Sequence, residues 1–298
     1  MSSPLPGGER DTFYKPGPLR PGFFSRVGLL WRAMTLRLAT WNINSVRLRI
    51  DQVARFVAER APDVLMLQEI KCTTDQFPRA AFEEMGLPHL RVAGQKGWHG
   101  VAIASRLPLE DSDTFQVCKL GHARCVSASV AGIDVQNFYI PAGGDIPDRA
   151  LNPKFDHKMD FYEQLTGIVA RQDRSRPLVM AGDFNIAPGE GDVWNHRYMS
   201  KIVSHTPIEV EALNRLQATG GFADALRDRF PEPQKLASWW SYRAADFRKS
   251  NRGLRLDHIW TSPGLTPAVV RDTARIHDDV REWDRPSDHA PVTVDLDV

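Results

Sequence analysis

The sequence predicts an α/β fold: a four-layer α/β sandwich, with two packed, mostly antiparallel or mixed β-sheets flanked by helices. Three observations carry this. From residue 36 onward, strand and helix patterns alternate with no linker, repeat or low-complexity break. Some neighbouring strands are joined by a tight turn and others by a helical stretch, unlike a purely parallel sheet. The chain has 298 residues, 42% hydrophobic and 25% charged, enough for one large buried core.

The first 33 residues stand apart. "MSSPLPGGERDTFYKPGPLRPGFF" is punctuated throughout by Pro and Gly, which defeats helix and strand alike. "FFSRVGLLWRAM" places Phe23, Val27, Leu30, Trp31 and Met34 at near-helical spacing, but it is too short and too Arg-rich for a secretory signal. The expected division is a flexible leader at 1–33 and one domain at 34–298. Met34 is an alternative start, because "MTLRLATWN" enters a strand within a few residues.

"LRLATWNI" alternates as a strand, and residues 50–60 put Ile50, Val53, Phe56 and Val57 on one helical face. "DVLMLQE" reads as a buried strand ending in polar residues. "GVAIAS", "RCVSASV" and "IDVQNFYI" are further strands, the last two separated by an "AG" that fits a hairpin. A helix over about 154–171 aligns Phe155, Tyr162, Leu165 and Val169, and "PLVMAGD" follows as a strand. "LRLDHIW", "AVVRDTARI" and "PVTVDLDV" complete the set.

No apolar run reaches the ~18 residues a membrane helix needs. The formal net charge of +1 excludes a globally basic nucleic-acid binder, so any such affinity must be local. Cys72, Cys118 and Cys125 are odd in number and lack paired metal spacing, so we expect buried thiols in a reducing, cytoplasmic setting, not disulfides or a zinc site.

Polar residues repeatedly end apolar strands. Asn42 closes the first, Glu69 the second, and Asp183 closes "LVMAGD" with Asn185 two residues on. Asp257 lies in "LRLDHIW", and Asp288-His289 precede the last strand in "PSDHAPV". Any one of these could be a turn or cap residue, and "GDFN" alone could be a Gly-initiated Asx turn. Together they are expected to share a cleft where strand ends converge on one rim, because a carboxylate inside a sheet is costly unless paired or metal-bound. Carboxylates and amides without a Cys/His cage favour a hard ion, Mg²⁺ or Mn²⁺. His258 follows Asp257 directly, but strand alternation sends it to the opposite face as an ordinary histidine. Residues 238–257 interleave Trp239 and Trp240 with Arg243, Arg248, Lys249, Arg252 and Arg255. By themselves these read as a solvated loop with core tryptophans.

The chain resembles the exonuclease III family of bacterial abasic-site endonucleases, within the endonuclease/exonuclease/phosphatase superfamily. The matching words are "WNINSVR", "PDVLMLQEIK", Phe77-Pro78, "GQKGWHGVAI", "FYIPAGG", "KF", "FYEQL", "GDFNIAP", "SWWSYR", "NRGLRLDHIW" and "PSDHAPV". They fall in family order across nearly everything from residue 36 to the C-terminus. "SDHAPV" marks only the superfamily, whereas "GQKGWHGVAI", "SWWSYR" and "NRGLRLDHIW" mark this branch. The leader has no counterpart.

The resemblance implies a Mg²⁺-dependent (or Mn²⁺-dependent) nuclease cutting 5′ to abasic sites, with 3′→5′ exonuclease action on duplex DNA and removal of 3′-blocking groups. The expected partner is double-stranded DNA with abasic sites or blocked 3′ ends, with no membrane, and the chain is expected to act as a monomer. Glu69 would be the main metal ligand, Asn42 beside it, with Asp288 in or next to that shell and Asp183, Asn185 and His289 around it. Asp183 would deprotonate the attacking water and Asn185 position water or phosphate. His289 would stabilise charge on the phosphate, held by Asp257. Tyr139 matches the family's active-site tyrosine; a strand aromatic with a surface hydroxyl is the alternative that alternation does not decide. The Trp-rich loop becomes a DNA groove, with Arg243 and Arg252 on phosphates and Trp239, Leu254 and Leu256 walling a pocket for a flipped abasic sugar. Lys96, between two glycines, is a phosphate contact or an ordinary solvated lysine. A phosphatase on the same fold would keep "GDFN" and "SDHAPV" but lack the Trp-rich loop. A non-catalytic DNA-binding relative would have lost one of Glu69, Asp183, Asn185 or His289, and all are present.

Overall fold

The computed structural model describes residues 34–112, 116–243 and 246–298; the leader assigned to 1–33 lies outside them. Among the described residues the strands are β1 (Thr35–Asn42), β2 (Val64–Gln68), β3 (His89–Ala93), β4 (Val101–Ser105), β5 (Cys125–Val130) and β6 (Ile133–Tyr139). They continue as β7 (Leu178–Asp183), β8 (Ala223–Asp224), β9 (Asp257–Thr261), β10 (Val269–Ile276) and β11 (Val292–Asp297). The helices are α1 (Ile50–Arg60), α2 (Arg79–Glu84), α3 (Pro153–Val169), α4 (His196–Met199), α5 (Pro207–Gly220), α6 (Ala225–Arg229) and α7 (Phe247–Ser250).

The strands form a six-stranded sheet, β10-β11-β1-β2-β4-β3, and a five-stranded sheet, β5-β6-β7-β9-β8. Among the described strands only β1–β2 and β6–β7 pair in parallel; the other neighbouring pairs are antiparallel. Each parallel pair is bridged by a helix, α1 or α3, because a parallel crossover must span the sheet's length. The β5–β6 hairpin turns at Ala131-Gly132, both at positive φ, as a tight two-residue turn demands.

Three apolar layers explain the four structural ones. Leu36, Leu38, Val64, Met66, Val292, Val294 and Leu296 of the first sheet meet Val135, Val179, Ala181 and Ile259 of the second. The alternate residues Ala39, Trp41, Leu65 and Leu67 turn outward onto Val53 and Phe56 of α1. Phe138 and Met180 turn outward onto Phe155, Tyr162 and Leu165 of α3 and Leu213 of α5. Period-two alternation thus gives each central strand one face toward the other sheet and one toward helices.

Among the described residues β3, β8, α2, α4, α5, α6 and α7 are not evident from sequence pattern, and β3 and α5 show why. β3 is half-buried throughout and lies at a sheet edge, so it carries no clean alternation. α5 announces itself only at its start, where Pro207 follows Thr206 and Glu209 completes a capping box. "LRLDHIW" is a strand only from Asp257; Leu254 instead bridges Val193 and Trp239.

Candidate active site

The parity of the sheets builds the site. Asn42, Tyr139, Asp183 and Asp257 share the strand faces that pack sheet against sheet, and each sits at a strand end on one rim. Asp183 pairs with Asp257 across β7–β9 and with Tyr139 across β6–β7. The close β6–β7 approach explains Gly182. At φ +137°, a β-carbon there would lie 2.0 Å from the Phe138 carbonyl oxygen. Beyond the strand ends, Glu69 and Asn185 adopt left-handed φ values of 50° and 54°, as do Asn44 and Lys71 at 48° and 51°. Such conformations are uncommon for side-chain-bearing residues and cluster where the backbone is held for function.

These turns converge the side chains. Asn42 Nδ2 donates to Glu69 Oε1 at 3.1 Å and to Asp183 Oδ2 at 2.9 Å. Asn185 donates its backbone N–H to Asp183 Oδ1 at 3.0 Å and its amide to Asp183 Oδ2 at 3.1 Å. His289 Nδ1 lies 2.8 Å from Asp257 Oδ2, and its Nε2 lies 3.7 Å from Asp183 Oδ2. Ser238 Oγ donates to the same Asp257 oxygen at 2.6 Å and accepts the Leu256 and Asp257 amides, fixing the carboxylate. Asp288 does not bond His289's side chain. It accepts from Asn44 Nδ2 and Trp239 Nε1, each at 3.0 Å.

Charge follows from burial. Asp183 is pushed up to about 7 by burial and by the neighbouring Asp257 and Glu69, against the pull of His289 and Asn42. Burial opposes a charged His289, but Asp257 and Asp183 outweigh it and raise the imidazole to about 10. His289 is therefore an imidazolium at neutral pH. Burial also drives Tyr139 well above its ordinary value, reinforced by Glu69 and Asp183, so its hydroxyl stays protonated. That hydroxyl is buried beside Glu69, not at the surface.

Several partners carry no clear sequence signal. Lys71 Nζ sits 2.8 Å from Glu69 Oε2 and donates to Asn44 Oδ1 at 2.6 Å. Both residues fall inside the matched words, but only the left-handed turns bring them together. Ser287 Oγ donates to the Asn42 carbonyl at 2.6 Å and ties the DHAPV segment to β1.

The predicted DNA face divides. Lys96, Arg243 and Arg252 are exposed, and Arg252 lies over the Trp194 ring. Trp239 is half-buried; Leu254 and Leu256 pack behind it with Val193 and Met199 in a small apolar cluster. Arg255 does not belong to the basic groove. It is buried, donating to Asp192 and, at 2.7 Å, to Asp224, because a guanidinium inside the fold needs carboxylates around it. Arg248 is likewise engaged, by Asp278 and Glu282. His258 faces away from the site as expected, stacked on Phe184 and bonded to the Ile186 carbonyl at 2.9 Å.

The profile of the endonuclease/exonuclease/phosphatase family matches residues 39–289. The chain is 32% identical over 273 residues to exodeoxyribonuclease III of Haemophilus influenzae, covering 86% of this chain and 98% of that protein. Among solved structures it is similar to an AP endonuclease from Archaeoglobus fulgidus, with a TM-score of 0.81 and 31% identity, covering 88% of this chain and all (100%) of that one. It is similar too to the 3′ phosphatase NExo from Neisseria bound to a product DNA hairpin, with a TM-score of 0.79, 35% identity and the same coverage of 88% and 100%.

Proposed function

The chain belongs to the endonuclease/exonuclease/phosphatase family, and we infer that it is a metal-dependent DNA-repair nuclease. It hydrolyses the phosphodiester 5′ to abasic sites, trims duplex DNA from 3′ ends and removes 3′-blocking groups. One observation carries this reading: Asn42 links Glu69 to Asp183, while Asp257 aims a charged His289 at the same carboxylate.

The oxygens of Glu69, Asn42 and Asp288 suit a hard cation, and no thiolate stands among them, which favours Mg²⁺ with Mn²⁺ as a substitute. When bound, the ion supplies charge neutralisation on the phosphate. The protein groups do the rest. Asp183, titrating near neutrality, takes a proton from water as the water oxygen bonds phosphorus and the bond to the leaving oxygen breaks. Asn185 orients water or phosphate. His289 meets the charge growing on the phosphoryl oxygens, and Asp257 holds its ring in place. Tyr139 keeps its proton and positions Glu69. Lys71 offsets the charge of Glu69 and competes with a cation for it.

Lys96, Arg243 and Arg252 contact phosphates, and Trp239, backed by Leu254 and Leu256, walls the pocket that admits a base-free sugar. The protein works as a cytoplasmic monomer. The test is a duplex carrying one abasic analogue, incubated with Mg²⁺ or with EDTA, for wild type and Glu69→Gln. We expect one cut on the 5′ side with Mg²⁺ and none with EDTA. Glu69→Gln should be at least ~10²-fold slower and partly rescued by added Mg²⁺. Cleavage in EDTA, or full activity of the variant at ordinary Mg²⁺, would remove Glu69 and its metal from the reaction.

A further inference from the structure

A second group of potential ligands is separate from the Asp183, Asp257 and His289 group. Cys118 and His122 are four residues apart on one loop, and His157 projects from α3. Cys118 Sγ lies 3.1 Å from His157 Nε2, and one donor atom from each of the three residues lies within 4.8 Å of the others. His122 meets His157 edge-on at 5.7 Å between centroids and stacks on His99 at 4.3 Å. Nδ1 of His122 and of His99 is buried without a hydrogen-bond partner. Buried polar atoms are rarely left so, and each unpaired one calls for a reason.

We propose that Cys118, His122 and His157 form a binding site for a soft divalent cation, Zn²⁺, distinct from the catalytic site. The donor atoms of a tetrahedral zinc centre stand roughly 3–4 Å apart, given Zn–S near 2.3 Å and Zn–N near 2.0 Å, so the cluster needs only small side-chain shifts. One sulfur and two nitrogens select zinc over the hard ion suited to Glu69. Burial, then Arg124, lowers His157 to about 4, and burial lowers His122, so both rings offer lone pairs at neutral pH. Arg124 opposes added positive charge, which is why the thiolate matters. Losing the Cys118 proton on binding leaves a net gain of one charge, not two. His99 or water completes the fourth position.

The spacing hides this site in the sequence, because it holds no paired cysteines and its third ligand lies on a helix beyond two strands. Its placement gives it an effect. Ala123, next to His122, accepts from the Gly100 amide at 3.0 Å and donates to Gln95 Oε1 at 2.9 Å. The His99 carbonyl in turn accepts the Lys71 amide at 3.0 Å. Zinc would clamp the loop that carries Lys96 to α3.

The test uses full-length protein freed of metal by chelation and then held in excess Mg²⁺, which occupies the hard-ion site. Co²⁺ should bind with a thiolate-to-cobalt charge-transfer band, and one equivalent of Zn²⁺ should abolish it. Glu69→Gln and Cys125→Ser should keep the band, whereas Cys118→Ser should lose it. Losing an outer hydrogen bond to a metal ligand costs about 10–100-fold in affinity, so His122→Gln, which removes a ligand, should bind zinc at least ~100-fold more weakly. His122 is half-buried, so that variant serves even if Cys118→Ser misfolds. No band in the wild type, or a band that survives Cys118→Ser, would overturn the site.

Discussion

At the scale of single residues, Trp239 is where the proposed abasic-site recognition can be tested apart from generic phosphoester chemistry. Its indole donates to Asp288 while its ring packs on the Leu254 cluster, so it has both a polar and an apolar role. Trp239→Ala should reduce abasic cleavage relative to hydrolysis of a small phosphodiester by roughly 5- to 150-fold, the equivalent of ~1–3 kcal/mol of lost contact. Trp239→Phe should keep most of that ratio, because it retains the ring face and loses only the bond to Asp288. Melting curves on the same preparations identify loss of fold, in which case both activities fall together. An unchanged ratio in a stably folded Ala variant would defeat the pocket. Residues of the rim were legible because each is a polar group at or next to one end of an apolar strand, a pattern one chain displays openly. Lys71 and Asn44 were not, since their approach depends on left-handed φ values that sequence does not announce. Arg255 misled for another reason: in a run of basic residues, nothing marks the one whose carboxylate partners are distant in sequence.

At the scale of elements, that buried arginine joins three pieces of chain. Asp192 comes from the turn after "GDFNIAP", Asp224 caps α6 through the Leu226 and Arg227 amides, and Arg255 leads into β9 beside His258. Burial alone would raise both carboxylates, but Arg255 outweighs it and holds both below the usual range. A carboxylate whose folded value lies below its unfolded value of ~3.9 contributes its full stability above that pH and loses it as the pH falls further. Urea unfolding should therefore show stability falling steeply below about pH 4. Asp224→Asn should flatten that dependence and cost about 3–5 kcal/mol at pH 7, as for one partner removed from a buried ion pair. An identical pH slope in the variant would show that the cluster is not the acid-sensitive element. Strongly patterned elements such as α1 and the β5–β6 hairpin were legible from periodicity and turn residues. β3 was not, because an edge strand buried to the same half-depth on both faces has no period to read.

At the scale of the whole molecule, the site exists because the chain closes on itself. β11 pairs with β1 along its length, and Met34 exchanges backbone hydrogen bonds with Val298 at 2.8 and 2.9 Å. This register sets Asp288 and His289 beside the end of β1, so the first and last strands jointly hold Asn42 and His289. Among the described residues the buried core runs from Leu36 on β1 to Leu296 on β11. Because residues 1–33 are punctuated by Pro and Gly and Met34 adjoins β1, a chain beginning at Met34 should fold and cut abasic duplexes at the full-length rate, with Tm changed by less than about 2 °C, under 1 kcal/mol in a domain of this size. A chain ending before β11 should not fold, since it uncovers Leu36 and Leu38 and deletes the wholly buried Val292, Val294 and Leu296. Differential scanning calorimetry and the abasic cleavage assay on both truncations decide the matter. A large Tm drop on removing residues 1–33 would mean that Phe23, Phe24 or Trp31 packs on the domain. Folding of the chain without β11 would mean that the closing pair does not organise the sandwich.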